Sequence, residues 1–568
     1  MAGFFKKALA LFIALTMALS VCGCSRGQDD STSSNSSEDK PSSSEPAEST
    51  LPEEPDYVSS EPAEANTDDL SDNEEIFMKH VKLLNGTPVQ QNFLGFNVVY
   101  HPFTYMNDKW GRNYSEEMAE YELNRLKASG ANIVRGFIEP KYAYDSASGT
   151  WNFDSDDMNA VYRWCDELNK RNIEVCLSLW NIRDVNTVYY HYSSENDDLS
   201  VTSELFEGFR VYKDDGVTID QKASHQKFAD YVVELLKQLK ARGYNNVKYL
   251  LMYTEPGLSY NFSTGSIKQE DYLKMWGQNY LEPVAAVDKA LSEAGLRNGI
   301  KIIGPNTGDS LRQGGGVKWI ADNAPKDTFD YFSSHSYCRF EDGSTDSYAD
   351  WDEMIKVKTN GLSGKPFIFD EYNWLGDTNF ETRADSAWWG VQQAIAEVAL
   401  LSNGVDGCFL WTLFDQQFPN TTTSNADSFK NGIQYYGLVP SLFNSSVPHK
   451  AYYQYTMAQH FLGVKGSKIY AGENELYSGL YTAAALMPDG NFSIIVVNTD
   501  FVDTAICIDL EKSINKTLYR HLYNPSSVES HPDKNMISAD CKFTNVKTQL
   551  VDVLPGGGVA VYTSAKLS

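Results

Sequence analysis

Between residues 93 and 415 the chain repeats one pattern, a short apolar run followed by a longer stretch with apolar positions every three or four residues. The runs are FLGFNVVY (93–100), ANIVRGFIEP (131–140), NIEVCLSLWN (172–181), VKYLLMYTEP (247–256), KIIGPNTG (301–308), DYFSSHSY (330–337), PFIFDEYNW (366–374) and GCFLWTLFD (407–415). Near-continuous apolar runs mark strands buried on both faces. Between them, FADYVVELLKQLKARG places Phe228, Val232, Leu235, Leu236 and Leu239 on one helical face, with Gly243 as the stop signal. Strands alternating with helices are parallel βα units, and eight of them predict a closed (β/α)₈ barrel rather than an open sheet.

After about residue 465 the helical period ends. Alternating runs such as FSIIVVNTD and GGGVAVYTS, separated by DG, NP and PGGG turns, predict a C-terminal antiparallel β-sandwich. The domains expected are therefore a barrel over 77–465 and a sandwich over 466–568. The hairpin-like FMKHVKLLNGTPV (77–89), with its Asn85-Gly86 turn, either covers the barrel floor or adds strands to the sandwich.

The first 76 residues carry neither period. Residues 1–23 read as a signal peptide, with Lys6 and Lys7 before an apolar core too short for an ordinary membrane span. The following VCGC (21–24) resembles the bacterial lipobox, which implies a lipid on Cys24, a membrane partner and a place on the outer face of the cell membrane. Residues 24–76 are Ser, Glu, Asp and Pro with few branched or aromatic side chains, and cannot bury enough surface to offset their ordering entropy. They are expected to form a disordered tether reaching on the order of 40 Å. This segment holds about half of the net charge of −28, and with no basic stripe a nucleic-acid partner is disfavoured. Of the later cysteines, 165, 176, 338 and 408 sit in apolar patterns as small hydrophobes, and Cys507 and Cys541 are available for a disulfide. No cysteine has metal-like spacing with histidine, so no metal is expected.

Barrel strands open at their C-terminal ends into one shared mouth, where active sites sit. Polar and aromatic residues collect at those ends: Arg135 and Glu139 on the second strand, Trp180 and Asn181 on the third, Thr254 and Glu255 on the fourth, His335 and Tyr337 on the sixth, Glu371 and Trp374 on the seventh, and Trp411 on the eighth. Two carboxyls, a cation, a phenol and tryptophans suit glycosidic bond cleavage. One acid protonates the leaving oxygen, a second carboxylate attacks the anomeric carbon or activates water, and indole faces stack on sugars. Glu371 has a rival in Asp370, since side chains alternate along a strand and only one of the two can face the axis. Glu139, in FIEP, is a second Glu-Pro beside Glu255-Pro256.

These residues resemble glycoside hydrolase clan A over roughly 90–465, and the added sandwich is similar to that of families 30 and 39, with strand-end residues like those of family 5. The clan ends its fourth strand on an acid/base glutamate, usually in Asn-Glu-Pro, and its seventh on a nucleophile. The resemblance implies Glu255 as acid/base, Glu371 as nucleophile, Arg135 and Tyr337 steadying the nucleophile, His335 as a hydrogen-bonding residue and Trp411 as the platform under the sugar. Trp180, Asn181, Thr254 and Trp374 join as substrate-binding candidates. Thr254 stands where the clan has asparagine, and a hydroxyl offers one donor instead of two.

The function expected is retaining hydrolysis of a poly- or oligosaccharide at the cell surface, without a cofactor. A lipid-anchored carbohydrate-binding protein without turnover is the alternative, either with two open-sheet lobes or as a silent barrel. The long segments after the third and eighth strands, with VYYHY (188–192) and IQYY (433–436), would wall the mouth and favour terminal or short-oligosaccharide cleavage.

Overall fold

The computed structural model describes residues 62–65, 78–106, 115–180, 182, 189–193, 198–202, 205–254, 269–308, 315–338, 347–374, 386–417, 429–430, 433–434, 436–440, 447–528 and 536–566. The expected signal peptide, Cys24, most of the acidic tether, Asn181 and Glu255 lie outside the described residues.

Eight parallel strands close into a barrel in chain order: Phe96–Val99, Ile133–Ile138, Glu174–Leu179, Val247–Leu251, Lys301–Thr307, Tyr331–Cys338, Phe367–Trp374 and Gly407–Leu410. Seven fall inside their apolar runs and the sixth passes its run by one residue, Cys338, because a parallel strand covered by helices outside and side chains inside has no polar face to present. The helix Gln221–Ala241 buries Phe228, Val232, Leu235, Leu236 and Leu239 as the periodicity requires. It ends two residues before Gly243, whose φ of +87° few other residues adopt at so little cost. Inside the barrel, Ile133, Cys176, Leu251, Ile303, Ile368 and Phe409 form an apolar layer with Leu94 and Val99. Full burial of such a side chain contributes about 1.5–3 kcal/mol.

The C-terminal unit packs a seven-stranded sheet against a three-stranded one. In Phe492–Asn498, Ile494 and Val496 face the sandwich core while Ile495 and Val497 face the barrel, so both sides of this strand are dry. The segment 77–89 resolves to the second of its two expected places: Lys79–Leu83 runs parallel to Thr504–Leu510 at the edge of the smaller sheet. One expectation needs correction. Ala63–Glu64, inside the presumed tether, pairs with Cys541 and Lys542, and the Ala65 amide donates to the Lys542 carbonyl, because the edge strand Ala539–Val546 offers an unpaired ladder. Cys507 and Cys541 sit in different sheets as free thiols, and Cys165, Cys176 and Cys408 are buried as expected. Among the described residues no helix is long and apolar enough to cross a membrane.

Candidate active site

Alternation along the second strand takes Ile133, Arg135 and Phe137 to the barrel interior, Ile133 in the apolar layer and Arg135 above it. The Arg135 guanidinium is fully buried, and a buried charge must be paired and hydrogen-bonded. Its Nη1 donates to Glu371 Oε1 at 2.7 Å and to the Asp370 carbonyl at 2.7 Å. Nε and Nη2 both donate to Ser178 Oγ at 3.2 Å. Burial works against the guanidinium's charge, but Glu371 and Asp370 outweigh it and push its pKa above the ordinary value. From the sixth strand, the Tyr337 hydroxyl donates to Glu371 Oε2 at 2.5 Å. Glu371 is thus buried with both oxygens engaged, one by a cation and one by a phenol, an arrangement that fixes the plane of its carboxyl group.

Asp370 and Glu371 were expected to exclude one another from the interior, and here the structure corrects the sequence. Asp370 follows Ile368 inward, and its Oδ1 lies 3.2 Å from His335 Nδ1. Register then shifts on both sides of the seventh strand, at Ser334/His335 of the sixth strand and, against the eighth strand, between the seventh strand's own Phe369 and Tyr372. That irregularity lets the next residue, Glu371, reach Arg135 as well. Burial alone would raise the Asp370 carboxyl, but His335 and Arg135 hold it below its usual range. The fourth strand breaks its alternation too. Tyr253 takes a φ of +57° and packs outward on Phe228 and Tyr280, so Thr254 turns to Ser178, with the two hydroxyls 3.2 Å apart.

The aromatic candidates divide. Half-buried Trp180 and Trp411 both lie against Phe137, with ring centroids at 4.9 and 5.5 Å, and His101 stacks on Phe137 at 4.4 Å. They form one aromatic wall beside the Arg135–Glu371 pair. Trp374 does not join it: its indole is 5% exposed, belongs to the main core, and has no hydrogen-bond partner on Nε1. Trp374 shares strand parity with Tyr372, which packs outward on Trp351 of a surrounding helix. Glu139 is tied down by Lys141 at 2.6 Å and by the Tyr142 hydroxyl at 3.3 Å, so the second Glu-Pro has structural partners.

Two residues, Ser178 and Asn373, escaped the sequence reading, and a third, Asp370, entered it only as the rival to Glu371. Ser178 links Thr254 to Arg135, Asp370 positions His335, and Asn373 donates to the carbonyls of Trp411 and Tyr436 while accepting from Trp389 Nε1. The available signal was a polar residue two positions after an interior apolar one, as in Cys176/Ser178 and Ile368/Asp370.

No family model and no curated protein matches the sequence. Solved structures do. A GH30 endoxylanase from Clostridium papyrosolvens C71 superposes with a TM-score of 0.53 at 13% identity, covering 86% of this chain and 100% of that one. The catalytic domain of GH30 xylanase C from Talaromyces cellulolyticus gives 0.56 at 14%, with 86% and 100% covered. A GH51 arabinofuranosidase from Xanthomonas axonopodis pv. citri gives 0.54 at 11%, with the same coverage. What this chain shares with them is a closed (β/α)₈ barrel carrying an antiparallel β-sandwich. At these identities the likeness is one of fold.

Proposed function

We propose that this protein is a retaining glycoside hydrolase acting on poly- or oligosaccharides, with Glu371 as nucleophile and Glu255 as acid/base. The observation that carries the reading is the Glu371 carboxylate, buried at the mouth of a closed barrel and clamped between Arg135 and Tyr337. In the first step a Glu371 oxygen forms a bond to the anomeric carbon as the glycosidic bond breaks, and the leaving oxygen takes the Glu255 proton. In the second, Glu255 removes a proton from water, which attacks the same carbon and releases Glu371. Two inversions give net retention. Arg135 remains a cation throughout, Ser178 holds its plane, and the wall of Trp180, Phe137 and Trp411 offers a stacking surface to the sugar.

Lipidation at Cys24 would place this chemistry at the outer face of the cell membrane, with the acidic segment as tether. The closed barrel is unlike the two open lobes of the alternative sugar-binding reading. Turnover separates the remaining possibilities. Glu371→Ala should abolish hydrolysis, and azide should restore it as the inverted glycosyl azide; Glu255→Ala should spare activated aryl glycosides relative to poor leaving groups. Wild-type protein without turnover on any aryl glycoside, or proton NMR showing the inverted anomer first, would overturn the proposal. The long mouth segments, which include the hairpin Tyr189–Ser193/Asp198–Thr202, support short-substrate action. A rapid fall in polymer viscosity would count against that.

A further inference from the structure

Away from the mouth, three metal-ligating side chains of different chemistry meet on the outer face of the smaller sandwich sheet. His80 lies on the edge strand Lys79–Leu83, and Cys507 and Asp509 lie on its neighbour Thr504–Leu510. Parallel register sets His80 beside Cys507 and Lys82 beside Asp509. The alternate residues Val81, Leu83, Ile506 and Ile508 fill the sandwich core, so these side chains point the other way. His80 Nδ1 is 2.8 Å from Asp509 Oδ2, Cys507 Sγ is 3.6 Å from Asp509 Oδ1, and the three ligand atoms all lie within 4.8 Å of one another. From the third strand, Gln549 Nε2 donates to Asp509 Oδ1 at 2.8 Å and fixes the carboxylate, as outer-sphere partners do at metal sites. The nearby cations are engaged elsewhere: Lys82 with Glu473 at 2.9 Å and Lys79 with Asp500 at 2.6 Å.

We propose that His80, Cys507 and Asp509 bind a thiophilic divalent cation of the zinc class. Imidazole nitrogen, thiolate and carboxylate are zinc's ordinary ligands, at about 2.0–2.3 Å, which separates ligand atoms by roughly 3.3–3.8 Å in a tetrahedron. Small rotations of His80, more than half exposed, reach that spacing. The sulfur argues against calcium or magnesium, which take oxygen ligands. Water completes the fourth position, and the thiol proton leaves to solvent on binding. The cation would join side chains 429 positions apart in sequence and fasten the edge strand Lys79–Leu83 to its neighbour. The proposal rests on the sandwich alone and is independent of the glycosidase reading.

The test uses the full chain, stripped of metal and titrated with Co²⁺ and then Zn²⁺. One equivalent of Co²⁺ should produce a thiolate-to-cobalt charge-transfer band that Zn²⁺ bleaches, and Zn²⁺ should raise the thermal midpoint. Cys507→Ser should remove the band, and His80→Ala should weaken Zn²⁺ binding by about tenfold or more and cancel the midpoint shift. Because His80 is exposed, its variant keeps the fold and reads the site directly. Chelation should leave glycoside turnover unchanged. Absence of the band, its survival in Cys507→Ser, or an undiminished zinc response in His80→Ala would overturn the proposal.

Discussion

The barrel interior has two levels that obey different rules. The lower one, with Ile133, Cys176, Leu251, Ile303, Ile368 and Phe409, keeps strict alternation and is held by apolar packing. One step towards the C-terminal ends, Arg135, Ser178, Thr254, His335, Asp370 and Glu371 form a chain of directional bonds, and alternation fails on the fourth and seventh strands. The clan resemblance assigns its two catalytic carboxyls to those same two strands. Packing rewards volume and tolerates any geometry that fills it. A hydrogen-bonded charge site rewards angles, so the backbone bends where the chemistry needs it to.

The largest expected break between the levels is Glu371→Ala. It should cost about 10⁴-fold or more in kcat/KM and also lower the unfolding midpoint, because the buried Arg135 loses its carboxylate partner, read by aryl glycoside kinetics and thermal denaturation. Arg135→Met should damage both properties, because it leaves two buried carboxyls without their cation. Denaturant unfolding should show a loss of about 3–5 kcal/mol along with a large fall in kcat.

Another buried carboxyl sharpens the contrast. Glu397, on the helix behind the seventh and eighth strands, receives only amides among the described residues, from Gln454 at 2.7 Å and Gln393 at 3.4 Å, and burial pushes its pKa up to about 8. Between its ordinary 4.5 and about 8 the folded state holds a proton that the unfolded state has released. Stability should therefore fall as pH rises through that window and level off above it. Glu397→Gln should flatten the slope and gain roughly 3–5 kcal/mol at pH 8 relative to wild type, measured as unfolding free energy against pH.

Ile368→Ala tests the lower level by itself. It should cost about 2–5 kcal/mol of stability and leave kcat of the folded enzyme nearly intact. Ser178→Ala is the smallest change. Loss of one neutral link behind Arg135 should lower kcat about tenfold with KM nearly unchanged, and Ser178→Thr should restore part of it. Equal effects of Ile368→Ala and Ser178→Ala on kcat would erase the distinction between the two levels.

Much of this molecule was legible in its pattern. All eight barrel strands coincide with the apolar runs to within one residue, and Arg135, Tyr337 and Glu371 meet at the strand ends. Trp374 lies apart from the aromatic wall, because position at a strand end does not give the direction of the side chain once register shifts. Asp370 was set aside by an alternation rule that the bulged seventh strand does not follow. The pairing of Ala63–Glu64 was invisible because two polar-flanked residues carry no period of their own.

Period and composition, by themselves, determined the eight βα units, the terminal sandwich and the residue types gathered at the mouth. Each of these follows from which side chains must leave water, and that is a local property of the chain. Only the tertiary structure decided that Ser178 would join Thr254 to Arg135, that Asp370 and Glu371 would both turn inward, and that His80 would lie beside Cys507 and Asp509. Those outcomes depend on register between strands distant in sequence, where a one-residue shift reverses every side chain's face, and no single segment contains that information.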